Sequence, residues 1–225
     1  MSDPTAASGR GRFITFEGGE GAGKSTQARR LAARLETAGR RAIVTREPGG
    51  SPLAETIRGV ILSGKASALG PMGEAILFGA ARIDHIDKLI APALAAGTWV
   101  VCDRFADSTR AYQGAAGKAS PDLIAELEKV VVREIKPDLT ILMDLPPQTG
   151  LARARKRAAG AASDRFESED LAFHNALRDA FLDIAAREPG RVKIVDATET
   201  EDAIAEKIWT ILRDAFPAEL AARDA

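Results

Sequence analysis

The chain has 225 residues, 45% hydrophobic and 28% charged, with a formal net charge of -1. That length supports one domain with a substantial core, and the balanced charge gives no basic field to draw in nucleic acid or an anionic membrane. One cysteine, Cys102, and two histidines, His85 and His174, exclude an internal disulfide framework and argue against a His/Cys zinc site; with no apolar run long enough to span a membrane, they point to a reducing cytoplasm.

Residues 1–11, small and polar, read as a disordered tail before a first strand, "RFITFE" (12–17). The glycine-rich "GGEGAGKST" follows, and a helical pattern then runs from Lys24 to a stop at Gly39. "RAIVT" (41–45) is a second strand, closed by the turn-rich "REPGGS". Helical periodicity covers 52–62 and 71–96. "TWVVCD" (98–103) is apolar almost throughout, as expected of a strand buried on both faces. Helices over 105–116 and 121–135 precede a fourth strand, "DLTILMDL" (138–145), and Pro146 and Pro147 open another helix. A helix over 169–187, a fifth strand "VKIVDA" (192–197) and a helix over 200–216 leave 217–225 as a C-terminal tail. This alternation predicts an α/β fold with three layers, a five-stranded parallel sheet flanked by helices, as one domain over 12–216. Ligands of such sheets bind at the carboxyl ends of the strands, so the polar segments after the strands should converge on one crevice.

Gly18 to Ser25 match G-x-x-x-x-G-K-[ST] between a strand and a helix, the mark of a P-loop NTPase. Backbone N–H groups of Gly18, Gly19, Glu20, Gly21, Ala22 and Gly23 would cradle the phosphates of ATP beside the positive end of the helix. Lys24 would reach the outer phosphates, Ser25 would ligate Mg²⁺, and Thr26 closes the ATP-binding stretch. No [NT]-K-x-D motif indicates a GTPase, and no L-S-G-G-Q-like signature indicates an ABC-type ATPase. A small domain with polar strand-end loops favours a kinase of a small molecule. Glu20 is the anomaly, a carboxylate inside an anion site.

Five segments in order, "FEGGEGAGKST", "TREPGG", "ILFGAARIDH", "DRFADSTRAYQG" and "RARKR…DRFE", resemble the successive signatures of bacterial thymidylate kinases, a match spanning about residues 12–210. The resemblance implies transfer of the γ-phosphoryl group of ATP to dTMP, giving dTDP and ADP in dTTP biosynthesis, with Mg²⁺ as cofactor and no nucleic-acid partner. Phe78 and Arg82, four apart on one helix face, suit a flat base. By resemblance Phe78 stacks thymine, Arg82 binds its O4, and Thr109 and Gln113 contact the pyrimidine edge. Tyr112 then lies near the deoxyribose, Glu47 and Pro48 shape the pocket, and Arg58 and Arg104 grip the acceptor phosphate. The resemblance also implies that Glu20 turns toward the sugar 3′-hydroxyl, away from the donor's oxygens. Two carboxylates end apolar strands, Asp103 and Asp144; Asp103 is the favoured metal ligand because Arg104 adjoins it. A nucleotide-dependent switch would need none of this acceptor pattern. The family usually forms homodimers, and the helix over 71–96 carries apolar residues beyond one face, in keeping with that.

"LARARKRAAGAASDRFESED" holds five cations in 13 residues, Arg153, Arg155, Lys156, Arg157 and Arg165, around small residues. In a phosphotransferase it reads as a mobile arginine-rich lid, about 150–166, closing over ATP. Some relatives carry an arginine inside the glycine loop. Here none stands at Gly19, Glu20 or Ala22, so the lid must deliver it, through Arg153 or Arg157 on one helix face.

Overall fold

The computed structural model describes residues 9–157 and 166–221, with Arg157 by its backbone alone. Much of the expected lid, the side chain of Arg157, residues 1–8 of the expected N-terminal tail and 222–225 of the C-terminal one lie outside the described residues. In chain order the elements are β1 (Phe13–Glu17), α1 (Lys24–Thr37), β2 (Ala42–Arg46), α2 (Pro52–Leu62), α3 (Gly70–His85), α4 (Ala91–Ala95), β3 (Trp99–Asp103), α5 (Ala106–Thr109), α6 (Pro121–Val132), β4 (Leu139–Asp144), α7 (Pro147–Arg157), α8 (Leu171–Arg187), β5 (Val192–Asp196), α9 (Glu201–Ala215) and α10 (Pro217–Leu220).

The five strands form one parallel sheet in the order β2-β3-β1-β4-β5. Every residue of β1 is buried, as a central strand covered on both faces requires. On one face Leu31 and Leu35 of α1 and Ile204, Ile208 and Leu212 of α9 close a core with Phe16, Val101 and Ile141. On the other, Ile86, Ile90, Leu94 and Val132 pack on Phe13, Val100 and Phe105. A third cluster joins Ile61 of α2, Tyr112, Phe166, and Leu177 and Phe181 of α8 to Leu142 of β4 and Val192 of β5.

Two expected helices differ in pitch. The one over 71–96 widens into a π turn, Ile86–Ile90, between α3 and α4. Pro92 explains this: it has no N–H to bond the turn behind it, and its ring crowds that turn. The helix over 105–116 is α-helical only to Thr109 and continues as a π turn over Arg110–Ala116. The packed chain also extends beyond both expected boundaries. Gly11 is buried and donates to Leu94 at 2.8 Å, and Glu219 of α10 pairs with Arg12.

Candidate active site

The carboxyl ends of β1, β2 and β3 open on one cavity of about 430 Å³. Its wall runs from the glycine loop (Glu20 to Thr26) past Asp103 and Arg104 to Phe78, Arg82, Thr109, Tyr112 and Gln113, with Glu47, Pro48 and Arg58 on one side. The glycine loop and the Phe78, Arg82 and Arg104 set therefore share a single cleft.

At the donor end, Lys24 is buried and its Nζ donates to the Gly19 carbonyl at 2.7 Å. Burial, with repulsion from Arg104 next, lowers it to about 8. Ser25 Oγ donates to Asp103 Oδ2, so a hydroxyl and a carboxylate meet beside the loop. Asp144, the other strand-end carboxylate, is engaged elsewhere: both of its oxygens accept from Arg178, at 2.7 and 2.8 Å.

Between the two ends stands Arg104. It adopts a positive φ of 71°, rare for a residue with a side chain, and reaches back to the Gly18 carbonyl at 3.0 Å. Its Nη2 donates to Glu20 Oε1 at 2.7 Å and to Tyr112 Oη at 2.9 Å, and Tyr112 Oη donates to the same carboxylate oxygen at 2.6 Å. The Glu20 anomaly is resolved by direction. The side chain turns away from the loop's backbone and joins Arg104 and Tyr112. Burial would raise its carboxyl, but Arg104, Lys24 and the Tyr112 hydroxyl prevail and hold it at about 2.

At the far end Phe78 lines the cavity, half-buried, beside a buried Arg82. Arg82 Nε donates to Glu47 Oε2 at 2.6 Å, and its Nη2 donates to the Phe105 carbonyl and to Thr109 Oγ1, each at 3.1 Å. Glu47 thus reaches the cavity largely by holding Arg82. Its other oxygen meets His85 Nδ1 at 3.1 Å, and His85 Nε2 meets Thr45 Oγ1 at 2.7 Å. Gln113 is buried, and its Oε1 has no hydrogen-bond partner among the described residues. Arg58 donates to the Pro48 carbonyl at 2.7 Å.

A sequence profile of the thymidylate kinase family matches residues 16–208. The chain is 55% identical over 216 residues to the thymidylate kinase of Bradyrhizobium diazoefficiens, covering 95% of each chain. It is 55% identical over 214 residues to that of Nitrobacter winogradskyi, covering 95% of this chain and 93% of the relative. The crystal structure of thymidylate kinase from Ehrlichia chaffeensis superposes with a TM-score of 0.72 at 32% identity, covering 90% of this chain and 99% of that one. The chain belongs to the thymidylate kinase family.

Nearly all the site residues expected from the thymidylate kinase resemblance line this cavity, and Gly18 and Gly19 border it through their carbonyl contacts with Arg104 and Lys24. Arg153 is the exception among the described residues; the Arg157 side chain lies outside them. It projects from α7, donates to the Ala197 carbonyl after β5 at 3.0 Å, and lines a separate hollow with Gln148, Thr149, Ala152 and Lys156. Four contributors escaped the sequence reading: Glu17, His85, Ser108 and Phe166. His85 had a signal, three residues past Arg82 on the same helix face. So did Glu17, a carboxylate ending a strand that is otherwise apolar but for Thr15.

Proposed function

We propose that this chain transfers the γ-phosphoryl group of ATP to dTMP, releasing dTDP and ADP. The observation that carries this reading is the continuity of the cavity, from a P-loop with a buried lysine to a half-buried phenylalanine beside a buried arginine. The acceptor's phosphate lies at Arg104 and Arg58, and its base against Phe78. Arg82 retains donor capacity for O4, and the unsatisfied Oε1 of Gln113 supplies the acceptor that a pyrimidine N3–H requires. Tyr112 faces the sugar, and Glu20, ionised at neutral pH, accepts from the 3′-hydroxyl while keeping Arg104 aimed. Lys24 neutralises charge on the transferring phosphoryl, and the chain's main contribution is alignment and charge compensation.

Ser25 and Asp103 fit Mg²⁺, which prefers hard oxygen ligands and completes its shell with phosphate oxygens and water. These two residues would hold the ion, which when bound offsets phosphate charge. Arg153 and Arg157 belong to the lid reading. The Ala197 carbonyl contact supports a donor-nucleotide role for Arg153 near the loop after β5. A homodimer is the assembly best supported, since α2, α3 and α6 each leave large apolar residues exposed. Among the described residues no helix is long and apolar enough to cross a membrane. The single thiol, Cys102, is buried in β3 and supports a cytoplasmic setting.

The test is ADP release with MgATP against a panel of nucleoside monophosphates. dTMP should exceed every purine acceptor by at least about a hundredfold in kcat/KM, the scale of losing one bidentate pair and a stacked ring. Arg104→Ala should lower turnover on dTMP by a similar factor with an unchanged circular dichroism spectrum. A stable enzyme that releases no ADP with dTMP would overturn the proposal.

A further inference from the structure

Glu17, the last residue of β1, is 1% exposed yet carries a carboxylate. Burying that charge is costly unless donors replace the lost water. Three do. Phe105 N–H donates to Oε1 at 2.7 Å, Ser108 N–H to the same oxygen at 3.3 Å, and Ser108 Oγ–H to Oε2 at 2.6 Å. The same Ser108 Oγ accepts from Arg104 Nη1 at 3.1 Å. Proton counting sets the direction of this chain. A carboxylate has no proton to give and a hydroxyl has one, so the Ser108 proton is committed to Glu17 and a lone pair is turned toward Arg104. The backbone φ of Arg104 adds a reason for the anchor, because an unusual conformation persists only where its surroundings over-determine it.

We infer that Glu17 and Ser108 are a positioning pair that holds the Arg104 guanidinium ready for the acceptor phosphate. The inference rests on the reading of Arg104 as the acceptor grip. It makes Glu17 a positioning residue rather than a catalytic one, since it touches the substrate only through Ser108 and Arg104.

The pair is sensitive to protonation. Burial, then repulsion from Asp107 of α5, raises Glu17 to about 7, against the opposing effects of Ser108, Arg104 and the Phe105 N–H. Lys24 of α1 also faces it, as does the Cys102 thiol of β3, itself pushed well up by burial. A proton on Glu17 would compete for Ser108 Oγ and free the hydroxyl hydrogen to point at the guanidinium. Grip on the acceptor is then lost as pH falls through about 7.

The experiment measures kcat and both KM values from pH 5.5 to 9 for the wild type, Glu17→Gln, Ser108→Ala and the double variant. The phosphate of dTMP itself titrates near about 6, so every variant shows that limb. The wild type should show a second limb near 7, and Glu17→Gln should lack it. At pH 8 each single variant should raise the dTMP KM about tenfold, the scale of one hydrogen bond to a charged group, with the ATP KM within about twofold. The double variant should match the singles, because either change breaks the same chain. Thermal unfolding at each pH checks the fold and carries its own signature. A carboxyl raised above its unfolded value stabilises when protonated, and that contribution is lost as pH rises through 7. The Tm of Glu17→Gln should therefore gain on the wild type between pH 5 and 8. A second limb that persists in Glu17→Gln, equal rises in both KM values, or multiplying effects in the double variant would overturn the pair. Arg104→Ala separates the two readings. If it leaves dTMP kinetics unchanged, the reading of Arg104 fails; if it is severe while both single variants stay within about twofold at pH 8, the pair alone fails.

Discussion

His85 shows how a residue set behind the cavity can help hold a side chain in its wall. It is completely buried, with one ring nitrogen on Thr45 and the other on Glu47, whose second oxygen holds Arg82. Arg82 therefore points into the cavity as the end of a chain that begins on β2. His85→Gln supplies a side chain that reaches one partner but not both. Losing one buried hydrogen bond to a charged group costs about 1.5–3 kcal/mol. The expected outcome is a fall in Tm of roughly 3–8 °C, with the dTMP KM up about fivefold or more and the ATP KM within about twofold. Differential scanning fluorimetry and steady-state kinetics check this, and an unaltered dTMP KM would show that Glu47 holds Arg82 unaided. At this scale the sequence was half legible. The Phe78/Arg82 pair stood out because four residues on a helix share a face. His85 stood on that face too, but its partners arrive from β2 and the loop beyond, a tertiary fact that no local spacing carries.

Helices and strands were legible nearly to the residue, because their signals are local. β3 is apolar from Trp99 to Cys102, and Pro52 marks the first turn of α2. The π turns were not legible, since one widened turn shifts the apolar period by less than a residue. Contact between elements was also hidden, and Gly150 is the clearest instance. It lies in the first turns of α7, where an added Cβ would stand 2.2 Å from the Glu20 carbonyl; reciprocally, a Cβ on Gly21 (φ +67°) would stand 2.1 Å from the Gly150 carbonyl. The phosphate loop and the helix leading to the arginine segment thus touch backbone to backbone. Nothing in the motif shows this, because the glycines of the loop are explained by phosphate alone. Gly150→Ala must push the two apart, at about 1–3 kcal/mol. Since Glu20 carries Arg104, the change should lower kcat/KM for both substrates tenfold or more. Gly190→Ala, where nothing lies within 4 Å of the added carbon, should leave both within about twofold. Equal behaviour of the two variants would mean that the loop and α7 move independently.

Over the whole molecule, strand order is what sequence does not carry. Buried parallel strands such as β1, β3 and β4 are alike in composition, and only their packing settles that β1 lies between the other two. That order sets the loops after β1, β2 and β3 around one cavity and leaves α2, α3 and α6 neighbours on an outer face. There the apolar pattern exceeds what the core uses. Leu53 and Val60 on α2, Ile76 and Ile83 on α3, and Leu123 and Val130 on α6 are each spaced by seven residues and exposed, Ile76 at 52% and Val130 at 69%. Seven residues are two helical turns, so each pair extends one exposed apolar stripe along its helix, on three helices that pack side by side. A second copy of the chain offers the same stripes, which is what a two-fold interface requires. α3 carries both Ile76 on this face and Phe78 and Arg82 toward the cavity, so assembly would stiffen that cavity wall from behind. Light scattering coupled to gel filtration should give twice the 23.8 kDa chain mass for the wild type. Ile76→Asp, which would place a charge in such an interface, should give the monomer and raise the dTMP KM more than the ATP KM. A wild type that runs as a monomer at micromolar concentration would refute the dimer, and a monomeric Ile76→Asp with unaltered dTMP kinetics would separate assembly from acceptor binding.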